Sequence, residues 1–561
     1  VMTSLAGKPV LLSRLHVDPW RAGALVVAAL VAMPVFFIAM LAFSPGRNIW
    51  PHLATTMLPP MLQTTLLLLA GVGLGTAILG VGTAWLVSLC RFPGRRIFEW
   101  ALLAPFAMPA YLTAYTYVDF LEFSGPVQTT LRGLMGWGRP ADYWFPEIRS
   151  IGGAALVLSV TLYPYVFLSA RSAFLQQSTG VLEVSRTLGL GPWAVFFRVA
   201  LPMARPAIVV GIILALMETL GDFGTVDYFA VRTLTAGIYD VWMGMGNSGG
   251  AAQIALALLG FVLLLITLER AARRDRRFHS DGSPKRAVPQ FDLGPLKAGA
   301  AITACMAPLI FGFLIPAGIL LKMALSRLPL SVDAAFIGYA LNSLLLASMA
   351  ALLAVCIGMF LAYGARLNPG RGQKILTRIA TAGYVIPGAV LALGVMIPFG
   401  AFDNALDAML RAHFGISTGL LLSGTVTAVI FAYVVRFLAL SFGALEAGLT
   451  RITPAMDMAS RSLGQGRGGT LRRVHLPLLR GPILTAVLLV FVDCMKELPV
   501  TLILRPFNFD TLATHVYTFA SLGRLEDSAL AGLSIVAAGF IPVILLSRAI
   551  TGRWSRASTG G

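Results

Sequence analysis

The 561-residue sequence predicts an all-α integral membrane protein, with about twelve transmembrane helices laid out as two pseudo-symmetric six-helix repeats. Composition is the first of three reasons. With 57% hydrophobic and 12% charged residues and a mean hydropathy of +0.80, the chain lacks the polar surface that would cover a water-soluble core of this size. The second is the recurrence of apolar windows of roughly 20 residues, the length that crosses the hydrocarbon core as a helix. The third is an internal repeat. Glu183–Ile208 (EVSRTLGLGPWAVFFRVALPMARPAI) recurs as Met458–Ile483 (MASRSLGQGRGGTLRRVHLPLLRGPI) at an ungapped offset of 275 residues, with 11 of 26 positions identical. Unrelated segments would share about one or two, so the chain contains a duplication.

The first repeat is assigned to residues 1–272, with expected spans Ala24–Phe43, Leu62–Leu86, Ala101–Phe120, Ile151–Leu168, Ala207–Phe223 and Ala251–Leu268. The second is assigned to residues 296–561, with Ala300–Leu321, Leu341–Tyr363, Ile375–Phe399, Leu420–Leu440, Leu484–Leu504 and Ser528–Leu546. Between them Arg273–Pro295 is charged, rich in Pro and Gly and without periodicity, which reads as a linker. Lys8, Arg14 and Arg21 ahead of the first apolar run resemble the start of a signal peptide. That run is too long for a signal core and lacks a clear small-residue cleavage site, so a retained helix is expected.

The net charge of +18 would raise the question of nucleic acid in a soluble protein. Here topology places the cations. Arg91, Arg95 and Arg96 follow the second span, Arg171 to Arg205 the fourth, and Arg270 to Arg286 the sixth, and the second repeat follows suit. Every even-numbered span thus ends on the basic side, which is expected to be cytoplasmic, with both termini and the linker. Cys90, Cys305, Cys356 and Cys494 lie in or at apolar spans without metal-ligand spacing, and are expected to be small packing residues.

The repeated loops, near residues 179–202 and 454–477, read as a short helix, a glycine turn and a second short helix that breaks at a Leu-Pro step before the next span. Ser185, Arg186 and Gly189 match Ser460, Arg461 and Gly464, and Leu201 and Pro202 match Leu476 and Pro477. Pro192 suits a first helical turn, where a missing N–H costs nothing. Two matched polar elbows imply a doubled partner.

The stretch EVSRTLGLGPWAVFFRVALP resembles the EAA motif of permease subunits of bacterial binding-protein-dependent ABC importers, with Glu183, Ser185, Gly189, Leu201 and Pro202 at the motif positions. In the second copy Met458 replaces the acid, and Asp457 stands one residue earlier. The resemblance implies that both segments are coupling helices seated on two ATP-binding cassette subunits, which bind the ATP and Mg. It also implies a periplasmic substrate-binding protein and a site in the bacterial inner membrane. The chain has no GxxxxGK[ST] phosphate loop, so ATP hydrolysis is expected in a separate subunit and no cofactor in this one. Met217–Tyr239, Met495–Ala513 and Gly523–Asp527 are similar to the fused ferric-iron importer permeases, which implies ferric iron as cargo.

The offset of 275 pairs Glu218 with Asp493 and Asp222 with Glu497, two acids four residues apart in each repeat. Four acids facing lipid would cost on the order of 10 kcal/mol, so they are expected to face the interior or the membrane surface. On one helix face they offer compact oxygen ligands, or a negative lining, for a hard cation in transit. Static pairing with Lys496, Arg505, Thr219, Thr225 or Thr501 is the other reading. Thiamine or a polyamine would also suit such a lining, whereas anions such as sulfate or phosphate would be repelled. Buried acids also occur in ion-gradient-driven transporters, which need no matched elbows. Among other residues, Arg436 inside a span calls for a partner, and His413 and His515 read as surface residues. Tyr111, Tyr115 and Tyr117 read as interfacial anchors. Pro105, Pro109 and Pro387 read either as helix breaks along the route or as ordinary kinks.

Overall fold

Lipid offers the backbone no hydrogen-bond partners, so a spanning segment must satisfy its own N–H and C=O groups, and here it does so as helix. A computed structural model describes residues 18–44, 46, 48–177, 179–274 and 290–558. Most of the expected linker lies outside the described residues. Among those described, 10 helices are long and apolar enough to cross a membrane, or up to 12 if each of two sharply bent helix pairs is one span.

Local sequence explains most helix starts. Pro19 opens the first helix, Pro19–Phe43, and the Asp18 carboxylate accepts from Trp20 N. Ser150 caps Ile151–Leu175 by accepting from Gly153 N, and Asp333 caps Ala334–Leu367 by accepting from Phe336 N. Pro34 and Pro164 stay inside helices, as bundle neighbours permit.

Prolines also produce two matched breaks. Arg95–Ala101 leads through a 3-10 turn, Ala104–Ala107, into Ala110–Leu121. Arg371–Ala380 leads through Ala382–Val385 into Gly388–Phe414. Each break ends on an extended residue before proline, Met108 (ψ 119°) and Ile386 (ψ 121°), because a following proline excludes the helical conformation. Pro105, Pro109 and Pro387 therefore mark breaks. The third expected span becomes a bent pair, turned by 85°. The ninth moves, since the spanning helix is Gly388–Phe414 and Arg371–Ala380 stands apart. Gly383 in the second break is a packing requirement: a Cβ there would lie 2.0 Å from the Val435 carbonyl oxygen.

The tenth span also shifts, to Val426–Leu449. Leu420–Leu422 is apolar but not helical, because Gly419 and Gly424 hold positive φ (61° and 64°) and the Asp403 carboxylate takes the Leu422 and Ser423 amides.

The first helix of each repeat packs across to the other repeat. Pro19–Phe43 lies against Ser248–Arg274 of its own repeat and against Arg371–Ala380 and Gly388–Phe414 of the second. Trp20 stacks on Phe360 at 4.9 Å, and Asn368 Nδ2 donates to Asp18. Reciprocally, Ile315–Ser331 touches Ala110–Leu121 as well as Leu525–Ser558. A two-residue parallel bridge, Cys90–Arg91 with Phe291–Asp292, ties the segment entering the second repeat to the first.

Three expectations about side chains are corrected. Tyr111, Tyr115 and Tyr117 are buried in the core: the Tyr115 ring lies 4.5 Å from that of Tyr228, and Tyr117 Oη donates to Phe311 O at 2.6 Å. Cys356 is exposed on its helix, while the other three cysteines are buried. His413 is exposed as expected, but His515 is stacked on Tyr339 at 4.5 Å.

Candidate functional site

The two repeated loops fold alike at their turns. Gly189 and Gly464 both have φ 78°, a left-handed conformation that favours glycine, directly after the short helices Thr179–Thr187 and Pro454–Ser462. Leu190 N donates to Ser185 O and Gln465 N to Ser460 O, each at 3.1 Å, so the turns match bond for bond. Ser185 and Ser460 are buried inside the elbows, where the first donates to Val181 O and the second meets Thr470 Oγ1. Around them each elbow presents apolar side chains to the outside: Val184 and Leu188 in the first, Met458 and Leu463 in the second, with Leu188 75% and Leu463 80% exposed. Glu183 and Arg461 are exposed beside them; the side chain of Arg186 lies outside the described part of its helix.

The elbows leave for the membrane differently. Leu201-Pro202 does not break its helix, which runs without interruption over Pro192–Gly221. A π-turn at Phe196–Ala200 widens the helix just before the proline, so its missing N–H is absorbed. In the second copy Leu476-Pro477 also follows a π-turn, Leu471–His475, but the helix then bends by 74° at Leu479. Asp457 is turned inward. It accepts from Arg366 Nη2 at 2.9 Å and meets His475 Nε2 at 2.6 Å, so it is engaged within the chain.

The acids of the two repeats meet at one cavity. A space of about 190 Å³ is lined by Glu218, Asp222, Asp493 and Glu497 together with Arg436 and Lys496. A larger cavity of about 450 Å³ shares Glu218, Tyr165, Tyr384 and Arg436 as a wall and reaches Arg270 and Arg378. Both proline breaks contribute to these linings, through Pro105 and Pro109 in the smaller and Pro387 in the larger.

The helical-face expectation holds for only one acid of each pair. Glu218 and Asp493 lie on helices, Leu201–Gly221 and Arg480–Lys496, which end just before Asp222 and Glu497. Those two residues are extended (ψ 129° and 118°) and cap the next short helix: Asp222 accepts from Thr225 N at 2.9 Å and Glu497 from Val500 N at 3.2 Å. Capping satisfies amide groups that a helix start leaves without partners, and it overrides continuation of the helix.

Partners divide by repeat. Glu218 accepts from Tyr384 Oη at 2.9 Å and Tyr165 Oη at 3.4 Å, and Asp222 accepts from Thr225 Oγ1 at 3.0 Å. Asp493 faces Lys496 Nζ at 3.7 Å, and Glu497 faces Arg436 Nε at 3.4 Å. The first-repeat acids thus have neutral donors and the second-repeat acids have cations. Of the other partners expected from sequence, Arg505 pairs with Asp510, Thr219 donates to Ala215 O and Thr501 to Glu497 O. Tyr165 and Tyr384 were not singled out by sequence reasoning; a tyrosine close to a proline in an apolar run, Pro164 for the first and Pro387 for the second, was the available signal. Among the described residues no three His, Cys, Asp or Glu side chains cluster closely enough to hold a metal ion. The four carboxylates share a lining without forming a cage.

A multi-pass helical membrane protein with polar-lined cavities between residues of two repeats and a matched pair of projecting elbows is built as a transporter component. Residues 354–556 match the model of the family described as binding-protein-dependent transport system inner membrane component. A molybdenum transport system permease protein of Escherichia coli is 31% identical over 211 residues, 35% of this chain and 88% of that protein. A sulfate transport system permease protein of Escherichia coli is 30% identical over 209 residues, 36% of this chain and 68% of its own. A Fe(3+)-transport system permease protein of Haemophilus influenzae is 24% identical over 494 residues, 87% of this chain and 89% of that protein. The chain belongs to the binding-protein-dependent transport system inner membrane component family, the permeases of ABC-type importers. Membership implies an ATP-hydrolysing partner and a substrate-binding protein.

Proposed function

We propose that this chain forms the whole membrane path of a ferric-iron importer. Iron is handed over by a periplasmic binding protein and moves to the cytoplasm by alternating access between the two repeats. One observation carries the reading: four carboxylates against two cations line the smaller cavity, a negative surface that attracts a cation and repels an anion. The relatives lend weight in the same direction. The iron-transport relative aligns along 87% of the chain, whereas the molybdenum and sulfate relatives each align with about a third of it.

In this reading Glu183, Ser185, Arg186, Gly189, Leu201 and Pro202, with Asp457, Ser460, Arg461, Gly464, Leu476 and Pro477, form the coupling elbows, Ser185, Ser460 and Asp457 shaping them from inside. Two ATPase subunits, holding ATP and Mg, seat on them. Val184, Leu188, Met458 and Leu463 supply the apolar contact, and the buried serines and left-handed glycines keep each elbow rigid enough to transmit motion. Both termini and both elbows face the cytoplasm, as the arginine distribution favours. Closure of the ATPase pair moves the elbows, and the helices carrying Glu218 and Asp493 follow. Glu218, Asp222, Asp493 and Glu497 then act as the negative lining that iron crosses.

The test is uptake by vesicles carrying the permease, its ATPases and the cognate binding protein. ATP-dependent uptake of ferric iron is expected, with none of molybdate, sulfate, thiamine or spermidine. Uptake of any of those four in place of iron overturns the assignment.

A further inference from the structure

We propose that Tyr165 and Tyr384 are iron ligands, forming with Glu218 an oxygen site that joins the two repeats at the wall between the two cavities. This inference rests on the ferric-iron reading and assigns its cargo a particular stop. Tyr165 comes from the helix Ile151–Leu175 and Tyr384 from the second proline break, so each repeat supplies one phenol. Both hydroxyls converge on one atom, Glu218 Oε1, at 3.4 and 2.9 Å. All three side chains line both cavities, so an ion passing from one to the other meets them.

One further observation points to a ligand in the smaller cavity. Tyr111 is 5% exposed and lines the smaller cavity with the other two, and its hydroxyl has no hydrogen-bond partner among the described residues. Among the described residues carboxylates, histidines and cysteines form no group of three that could hold a metal ion, so a site here requires oxygen donors of another type. Phenol oxygens are those donors, compact and anionic once deprotonated, which suits a hard cation. Arg436 lines the same wall, and its charge is opposed by Glu497 at 3.4 Å.

The binding step conserves charge and protons. Tyr384, whose hydroxyl donates to Glu218 at 2.9 Å before iron arrives, exchanges its O–H bond for an O–Fe bond and gives the proton to solvent in the larger cavity, so that Glu218 stays a carboxylate. Tyr165 exchanges its O–H bond in the same way and gives its proton to solvent in the larger cavity. Iron remains ferric throughout, and reprotonation of the two phenols releases it.

Ferric phenolates absorb visible light by ligand-to-metal charge transfer, which separates this site from a carboxylate-only one. The full chain, purified with its ATPase subunits but without the binding protein, is titrated with ferric nitrilotriacetate. A visible band is expected in the wild type, diminished in Tyr384→Phe and lost in Tyr165→Phe/Tyr384→Phe, with thermal unfolding and co-purification showing that the variants are assembled. Should the double variant fail to assemble, the single variants Tyr165→Phe and Tyr384→Phe carry the test. Vesicle uptake is measured alongside. Iron uptake with no band in the wild type, or a band that survives the substitutions, overturns the phenol site and leaves the ferric reading standing. Absence of iron uptake overturns both.

Discussion

Replacing Arg436 by Met is expected to destabilise the assembled permease by about 3–5 kcal/mol, because removing one partner of a buried ion pair leaves the other uncompensated. The guanidinium and the Glu497 carboxylate are 13% and 6% exposed and 3.4 Å apart. Gly388 leaves room for the pair: a Cβ there would lie 2.8 Å from Arg436 Nη1 and 3.0 Å from Glu497 Oε1. After the substitution Glu497 keeps the Val500 amide but loses its cationic partner. The double variant Arg436→Met/Glu497→Gln removes both charges and should recover much of the loss. Thermal unfolding in detergent checks this; equal stability of the single and double variants would show that the two charges do not depend on each other.

Asp457→Asn is expected to uncouple transport from ATP hydrolysis, lowering iron moved per ATP several-fold while hydrolysis continues. Asp457 joins the second elbow to the membrane helix Ala334–Leu367 through Arg366, whose other N–H groups donate to Leu449 O at 2.6 Å and Ile452 O at 2.8 Å. These lie at and just beyond the C-terminal end of the helix Val426–Leu449, where the last carbonyls lack intrahelical partners, so one arginine gathers three elements. At the offset of 275 the first elbow has Leu182, Arg91 and Ala200 in place of Asp457, Arg366 and His475, and Arg91 pairs with Asp292 instead. Partial burial disfavours the charge on Asp457, but hydrogen bonds from Arg366 and His475 outweigh it and hold the carboxyl below its ordinary range. A lowered folded-state value means the contribution is present above the unfolded carboxylate value and is lost only as pH falls through the lowered one. Hydrogen exchange in Pro454–Ser462 should therefore stay slow across the ordinary carboxylate range in the wild type, and be faster and independent of that titration in Asp457→Asn. Unchanged exchange and unchanged coupling in the variant would contradict the lock.

Much of this arrangement was legible in the sequence because it depends on local chemistry. A repeated glycine at a fixed offset announces a repeated left-handed turn, and Gly189 and Gly464 share the same φ. Acids too costly to face lipid must face something else, and Glu218, Asp222, Asp493 and Glu497 line one cavity. Hydropathy reports the cost of transfer to lipid and is silent about chain direction. Leu420–Leu422 therefore looked like the start of a span, although flanking glycines and Asp403 hold it as a loop. Helical spacing placed Asp222 on the face of Glu218, but the amide groups of the next helix captured it. Tyr111, Tyr115 and Tyr117 suggested an interface by composition. Their burial follows from packing between helices far apart in sequence, such as Tyr117 on Phe311, which no local pattern encodes.

The central claim, that negative charge at the junction of the repeats carries the cargo, is tested most directly by ferric-iron uptake in vesicles bearing Glu218→Gln together with Asp222→Asn. Both substitutions keep side-chain size and remove the two charges that have no cationic partner in the first repeat. The account predicts that uptake is abolished while the chain still co-purifies with its ATPases. Uptake at the wild-type rate in that variant would contradict it.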